Sequence, residues 1–397
     1  QKALTAAPEG KTPFYISHYG RHGSRYMLNP FDYKSPLMRL TEAYEKGKLT
    51  ALGVDVMHRL EAMTAESNNR SGELTPLGAR QHKEIANRMF NRFPEVFDGN
   101  VHVDGKSTTV IRCILSMENF LQELLRLNPK LEITHEASNH DIYDMNFNDR
   151  QTFASRFSGE TKEKREAWEK QHLNTARLLK SLFNDEEYIS LYIPKNEFTN
   201  QLFNLASVVQ NSEIRHNMTL WDIFTEDEIY TLWQKYNIGW FSEYGTSTWN
   251  GGTQPYSQRN LLKMIIHEAD SCINIDRPGA TLRFGHETMV MPLTCLLNLN
   301  GYGNTMDPTE AENNGWINYK IFPMAANVQL VFYRNNPQDK EVWVKVLLNE
   351  EEATLPLKAV SGPYYRWDDV RQYYLNKIKD YEDALPPIEN NKEKVVD

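Results

Sequence analysis

Long apolar runs are missing from this chain. Nowhere do about eighteen apolar residues follow one another, so no segment has the length to cross a bilayer as a helix. The longest apolar stretches, such as Val328 to Tyr333, are of strand length. Cysteine is scarce: Cys113, Cys272 and Cys295 stand alone, without CxxC spacing. That excludes a disulfide scaffold and a cysteine-based zinc site, and leaves room for one disulfide with a thiol over. Positive charge is also short, the net charge being −9 with histidine neutral. A duplex nucleic-acid binder is normally basic, so nucleic acid is not expected as a partner. Net negative charge does not forbid an anionic substrate, because local arginines set the potential inside a cleft. Several catalytic signatures are absent. His267-Glu268 and His286-Glu287 are followed by Ser271 and Val290 where an HExxH pair would need histidine, so no helix carries a zinc ligand pair. There is no P-loop and no Gly-x-Ser-x-Gly, which removes the usual nucleotide-hydrolysis and serine-esterase readings. No internal repeat or low-complexity tract is present. The chain starts at Gln1 without Met or an apolar leader, as a processed or a trimmed protein would, so these residues do not report the compartment.

What is present is a globular composition: 397 residues, 40% hydrophobic and 11% aromatic, enough for one large domain or two. Phe14-Tyr15-Ile16-Ser17 reads as a buried strand, as do Val101-His102-Val103, Thr108 to Ile111, Leu131-Glu132-Ile133, Ala280 to Phe284, Val328 to Tyr333 and Val342 to Leu348. Thr75-Pro76 is a helix start, Thr capping and Pro at the first helical position, and the helix runs to Phe93 with Ile85 and Met89 on one face. Ser116 to Leu127 and Tyr364 to Ile378 read as helices, the second followed by a polar tail expected to fray. Between about 138 and 262 the character changes to long polar helical patterns, Glu160 to Leu182 being one. Strands and helices at both ends predict an α/β catalytic domain from 1–137 and 263–397, with an α-helical cap inserted at 138–262 over the sheet's ligand edge.

The chemistry concentrates in Arg21-His22-Gly23-Ser24-Arg25. Two arginines flank a histidine in a glycine-bearing loop after a strand. Guanidinium groups match phosphate oxygens with paired, charge-assisted hydrogen bonds. Neighbouring positive charge keeps an imidazole neutral, hence nucleophilic, and a neutral imidazole can attack phosphorus to give a phosphohistidine that water hydrolyses. Gly20 and Gly23 are expected to permit a tight strand-to-helix turn whose backbone N–H groups face a ligand.

This segment resembles the RHGxR signature of the histidine phosphatase superfamily, in its acid phosphatase and phytase branch. Leu74-Thr75-Pro76-Leu77-Gly78 with Gln81 is similar to that branch's LTxxG motif, Arg112-Cys113-Ile114-Leu115-Ser116 with Phe120 to the turn carrying its third phosphate-binding arginine, and Gly285-His286-Glu287-Thr288 to its late Gly-His-Asp-Thr motif. Bacterial multiple inositol polyphosphate phosphatases look closest. The resemblance implies a mostly parallel central sheet flanked by helices, phosphoglycerate mutase-like, with the helical cap. It implies His22 as nucleophile, with Arg21, Arg25, Arg112 and His286 around the transferred phosphoryl group. Glu287 would be the general acid, its pKa raised by facing a substrate phosphate. One departure stands out: multiple inositol polyphosphate phosphatases usually carry His-Ala-Glu here, whereas this chain has His-Glu-Thr, with the carboxyl one residue earlier. That puts in doubt which ester is attacked first.

Lys34, Arg39 and Arg215-His216 are further candidates for gripping extra phosphates, although ordinary surface charge explains them as well. Lys162, Lys164, Arg165 and Lys170 alternate with glutamates and read as a solvated helix face. Trp221, Trp233 and Trp240 read as core. The expected function is metal-independent, cofactor-free hydrolysis of phytate or lower inositol phosphates through a phosphohistidine, with no transmembrane segment. The alternative is a broad acid phosphatase acting on sugar phosphates or other small monoesters. A non-catalytic phosphate binder on this fold would be expected to lack His22 or Glu287, and both are kept. An extracytoplasmic location is implied by the resemblance alone.

Overall fold

A computed structural model describes residues 2–157 and 159–386. The polar tail expected to fray falls at 387–397, outside the described residues. One eight-stranded sheet organises the chain, in the order β3-β2-β4-β1-β5-β6-β7 with β8 paired to β6. These strands are β1 (Thr12–Arg21), β2 (His102–Ser107), β3 (Glu132–Ala137), β4 (Gly279–Gly285), β5 (Asn327–Arg334), β6 (Trp343–Leu348), β7 (Glu351–Ala353) and β8 (Tyr364–Arg366). The sheet is mixed. β3, β2, β4 and β1 run parallel, while β5, β6, β7 and β8 add antiparallel pairs on the other side of β1. β4 and β5 are buried at every residue, as expected of strands covered on both faces.

The longer helices are α1 (Phe31–Glu45), α2 (Ala51–Glu66), α3 (Pro76–Arg92), α4 (Ile111–Leu127), α5 (Gly159–His172), α6 (Ala176–Leu182), α7 (Glu186–Tyr192), α8 (Lys195–Val209), α9 (Glu226–Tyr244), α10 (Arg259–Ile273), α11 (Glu287–Leu297) and α12 (Trp367–Ala384). α3 and α4 cover one sheet face around Ile85, Met89, Phe120 and Leu124. α10, α11 and α12 cover the other around Ile265, Val290, Trp316 and Trp367. A third apolar cluster lies off the sheet. It joins Tyr33, Leu40 and Leu60 from α1 and α2 to Leu182, Phe198 and Leu232 from α6, α8 and α9. The helical layer therefore draws on 31–66 as well as on the stretch after 138.

Four local expectations are corrected. Thr108 to Ile111 is not a strand: the chain leaves β2 at Ser107 and α4 starts at Ile111, so Arg112 sits in a first helical turn. Glu160 to Leu182 is two helices, α5 and α6, with the chain leaving helix between His172 and Ala176. Tyr364 begins a short strand, and the last helix starts at Trp367. All three cysteines are free, so the disulfide left open above does not form.

The core beneath the arginine-bearing loop holds an uncommon feature. His18 and His82 are each 1% exposed and pack against Phe120 and Phe284, with ring centroids 5.3 to 6.4 Å apart. Burial pushes both imidazoles from 6.5 down to about 3. A histidine neutral in the fold but protonated when unfolded below 6.5 contributes stability above that pH. The contribution is lost as pH falls toward 3, at about 1.4 kcal/mol per pH unit for each ring. Urea unfolding at pH 7 and pH 5 should therefore show a steep acid loss in the wild type and a shallower one in His82→Leu. Equal losses would mean that His82 is not buried as a neutral ring.

Candidate active site

Three parallel strands deliver their C-terminal ends to one edge. Arg21, the last residue of β1, pairs with Gly285 of β4, and Ser107 of β2 pairs with Phe284. Ligands of open α/β sheets bind at such carboxyl ends. After Arg21 the chain turns through an irregular loop to α1 rather than straight into a helix. Its first four amides are used within the protein. Arg21 N donates to Ala326 O (2.7 Å), His22 N to Gly285 O (2.9 Å), Gly23 N to Ser116 Oγ (3.0 Å) and Ser24 N to Gln81 Oε1 (2.8 Å). The expected cradle of free N–H groups is thus replaced by side chains.

The glycines serve close approach instead. A Cβ on Gly23 would meet Gly78 O at 2.4 Å, and one on Gly78 would meet Ser24 O at 2.3 Å. Thr75 caps α3 by accepting from Gly78 N, while its own amide and hydroxyl donate to Ser24 O at 2.8 and 3.0 Å. Gly78 and Gln81 thereby seat the start of α3 directly on the loop. On the other side, Ala325 N donates to His22 O at 3.0 Å, from a left-handed backbone (φ 60°) that costs a non-glycine residue about 1–2 kcal/mol.

The structure brings Arg21, His22, Arg25, Arg112, His286 and Glu287 together. His22 is fully buried, and its Nδ1–H donates to Gly23 O at 2.8 Å. A carbonyl can only accept, so in the neutral ring Nε2 carries the free lone pair. Nε2 faces Glu287 Oε2 at 3.3 Å, and Arg21 Nε reaches the same oxygen at 3.1 Å. Arg21 is aimed by an Nη1 bond to Phe322 O (2.7 Å), Arg25 by one to Tyr26 O (2.9 Å), and Arg112 by a longer one to Gly72 O (3.4 Å). The buried Nε atoms of Arg25 and Arg112 have no partner. The His286 ring stands edge-on to His22 with centroids 5.8 Å apart, and its Nε2 lies 3.2 Å from Thr108 Oγ1. Glu287 opens α11, where the helix dipole favours negative charge.

Burial, with Arg21 helping, pushes His22 from 6.5 down to about 4, against the opposing pull of Glu287. His286 is pushed to about 4 by burial, His22 and Arg112. Both rings are neutral at neutral pH. For Glu287, burial alone would raise the pKa, but the guanidinium charges of Arg21 and Arg25 outweigh it and hold the carboxyl well below its usual range. That is the reverse of the rise expected beside a substrate phosphate, because here the neighbours are cations. The carboxylate itself stands as the anion among the guanidinium groups. Donor atoms of His22, His286 and Glu287 lie within 4.8 Å of one another, a spacing that could hold a metal, but the surrounding arginines oppose a cation.

Two further expected phosphate grips lie on α1 and in the segment between α8 and α9. Lys34 is exposed on α1 and makes no side-chain hydrogen bond or ion pair among the described residues. Arg215 is held by Ser212 O (2.8 Å) and shares the Glu213 carboxylate (3.2 Å) with Arg80 (2.6 Å). Sequence reasoning missed Thr108 and the Phe322 to Ala326 loop. Nothing in their composition signals a site, because they act largely through backbone atoms and packing.

Gly78→Ala should abolish phosphatase activity and lower stability by at least about 2 kcal/mol, because backbone cannot move aside cheaply. Urea unfolding with a turnover assay checks this. Glu287→Ala should bind inorganic phosphate several-fold more tightly than wild type at pH 7, since a competing anion is removed. Isothermal calorimetry reads the difference, and weaker binding would show that Glu287 does not compete for the cage.

The family profile of the histidine phosphatase superfamily, branch 2, matches residues 20–349. Multiple inositol polyphosphate phosphatase 1 of Gallus gallus is 22% identical over 379 residues, covering 88% of this chain and 79% of that protein. Among solved structures, the Bifidobacterium longum multiple inositol polyphosphate phosphatase complexed with inositol hexasulfate superposes with a TM-score of 0.79 at 20% identity, covering 94% of each chain. The Hafnia alvei phytase complexed with myo-inositol hexakis sulphate gives a TM-score of 0.57 at 13% identity, covering 93% of this chain and 98% of that one.

Proposed function

The chain belongs to branch 2 of the histidine phosphatase superfamily, and from that premise we propose that it is a phosphomonoesterase hydrolysing inositol polyphosphates such as phytate through a phosphohistidine on His22. The observation that carries this reading is the His22 ring, buried, neutral, fixed through Nδ1 and turned with its Nε2 lone pair toward Arg21 and Glu287. The Nε2 lone pair attacks phosphorus while the P–O bond to the inositol oxygen breaks. Arg21, Arg25, Arg112 and the neutral His286 hold the equatorial oxygens, where phosphoryl transfer needs its charge stabilised. A phosphoryl group entering beside Glu287 brings negative charge that raises the carboxyl's pKa. Glu287 can then carry a proton to the leaving alkoxide and afterwards take one from the attacking water. Guanidinium groups supply the charge a metal would otherwise bring, so no metal or cofactor takes part in these steps.

The substrate class rests on the relatives: the named activity of the Gallus gallus protein, and the hexasulfate esters bound by the Bifidobacterium and Hafnia enzymes, which present six anionic groups on an inositol ring. An extracytoplasmic location rests on the family resemblance. Among the described residues no helix is long and apolar enough to cross a membrane.

Chromatography of a phytate digest should show successive loss of phosphates and report the position of first attack. His22→Ala should lose about three orders of magnitude in kcat or more. Labelled phosphate trapped at alkaline pH should appear on wild type and not on that variant. Undiminished turnover in His22→Ala would sink the mechanism. In acid, kcat/KM should fall below about pH 4, where His22 gains the proton that removes its lone pair.

A further inference from the structure

Most arginines in this protein that are not on the surface are neutralised by acids. Arg59 pairs with Asp55 and Asp222, Arg88 with Glu350, Arg165 with Glu243, and Arg283 with Asp104 and Glu268. Among the described buried and half-buried arginines, Arg25, Arg112, Arg156 and Arg334 make no ion pair with a carboxylate. Arg334 is satisfied by the carbonyls of Ile273, Ile275 and Asp276. Arg25 and Arg112 belong to the phosphate cage. Arg156 is left over.

Its surroundings are built rather than incidental. The guanidinium carbon lies 3.6 Å from the Phe153 ring centroid and 4.0 Å from that of Tyr244, so the group is held by two aromatic rings. Nη1 donates to Tyr244 Oη at 3.3 Å, while the buried Nε has no partner. Glu243, the nearest acid in sequence to this platform, is committed to Arg165. Burial lowers the Arg156 pKa, and Tyr244 and the Glu243 carboxylate already paired with Arg165 offset that only in part, so a half-buried cation stands without an ion pair of its own among the described residues.

The platform adjoins the site. Tyr244 is the last residue of α9, which packs against α11, the helix that Glu287 opens. The Tyr244 phenol is pushed up by burial first, and Glu287 adds to the rise, so the two groups share one electrostatic neighbourhood. A line of rings leads the same way. Tyr244 meets Trp240 at 5.2 Å, Trp240 meets Phe322 at 5.0 Å, and the Phe322 carbonyl holds Arg21.

We propose that Arg156, carried on Tyr244, is a specificity-determining residue that binds a substrate phosphate other than the one transferred to His22. The inference rests on the phosphomonoesterase reading above. It assigns to this part of the helical layer a recognition role for polyphosphorylated substrates that small monoesters cannot use. Two rings carry the guanidinium, and among the described residues Nη1 alone is bonded, to Tyr244 Oη, and no carboxylate pairs with it; a guanidinium so placed can take a phosphate through its N–H groups.

The test compares myo-inositol hexakisphosphate with p-nitrophenyl phosphate in wild type, Arg156→Met and Arg156→Lys. In Arg156→Met, KM for the hexakisphosphate should rise by about tenfold, the scale of one charge-assisted hydrogen bond lost. The kcat/KM for p-nitrophenyl phosphate should stay within about twofold of wild type, which also reports an intact fold. Arg156→Lys should recover part of the loss, and added salt should shrink the difference between variants. Equal losses on both substrates, or no loss on either, would overturn the proposal. Should wild type release phosphate from neither ester, the phosphomonoesterase reading fails instead.

Discussion

Arg21, Arg25 and Arg112 are gathered around one imidazole, with one carboxylate among them, and the rest of the active-site architecture follows from keeping them there. Like charges at this spacing repel, and burial removes the water that would screen them. The protein offsets the repulsion with backbone carbonyls. Phe322, Tyr26 and Gly72 each accept from one of the three guanidinium groups, and among the described residues Glu287 supplies the single countercharge. The same crowding that makes the cage expensive makes it selective. An anion entering it recovers interactions that the protein alone leaves unmade, above all at the unpartnered Nε atoms of Arg25 and Arg112.

The scaffold is stiff where that cost is concentrated. Every amide from Arg21 to Ser24 is bonded within the protein, and the loop is pressed between the first turn of α3, the start of α4 and the Phe322 to Ala326 turn. Beneath it the neutral rings of His18 and His82 fill space that charged or hydrated groups could not share with Phe120 and Phe284. The site thus stands on a dry core, which lowers the His22 pKa without a dedicated base. Desolvation is the larger influence on that ring and the guanidinium charge the smaller one.

How much of this could be read from the chain follows from which atoms do the work. The strands were legible because β-branched and aromatic runs fit a buried sheet. The chemistry was legible because arginine, histidine and glycine in one short loop have few other uses. The reason for the second glycine, Gly78, was not legible. It faces Gly23 across a contact between residues far apart in the sequence, and no local pattern announces that two backbones will touch. The Ala325 turn was hidden for a related reason: its contribution is a backbone N–H to the His22 carbonyl, and alanine gives no hint of a left-handed conformation. The partners of Arg215 were not legible because charge in a sequence does not show what it pairs with, and here Arg215 and Arg80 share Glu213. That α1 and α2 pack on the helical layer was not legible, because they carry ordinary amphipathic patterns that do not say which neighbour they pack on.

The one-residue displacement of the acid in His-Glu-Thr has a geometric meaning that the helix makes plain. His286 caps α11 and Glu287 is its first residue, so moving a carboxyl from one position to the next turns it by about 100° around the helix axis. At 287 the carboxyl meets Arg21 and His22. At 288, where the His-Ala-Glu order would put it, the Thr288 hydroxyl instead lies against Met289 Sδ at 3.4 Å. An acid at 288 would therefore approach the leaving oxygen from a different side of the cage. Under the proposed mechanism, a carboxyl at 287 ties proton delivery to Arg21, which would also hold the transferred group. On that mechanism the ester oxygen that Glu287 protonates is one presented on the Arg21 side, so the identity of this single residue bears on which substrate orientation is productive.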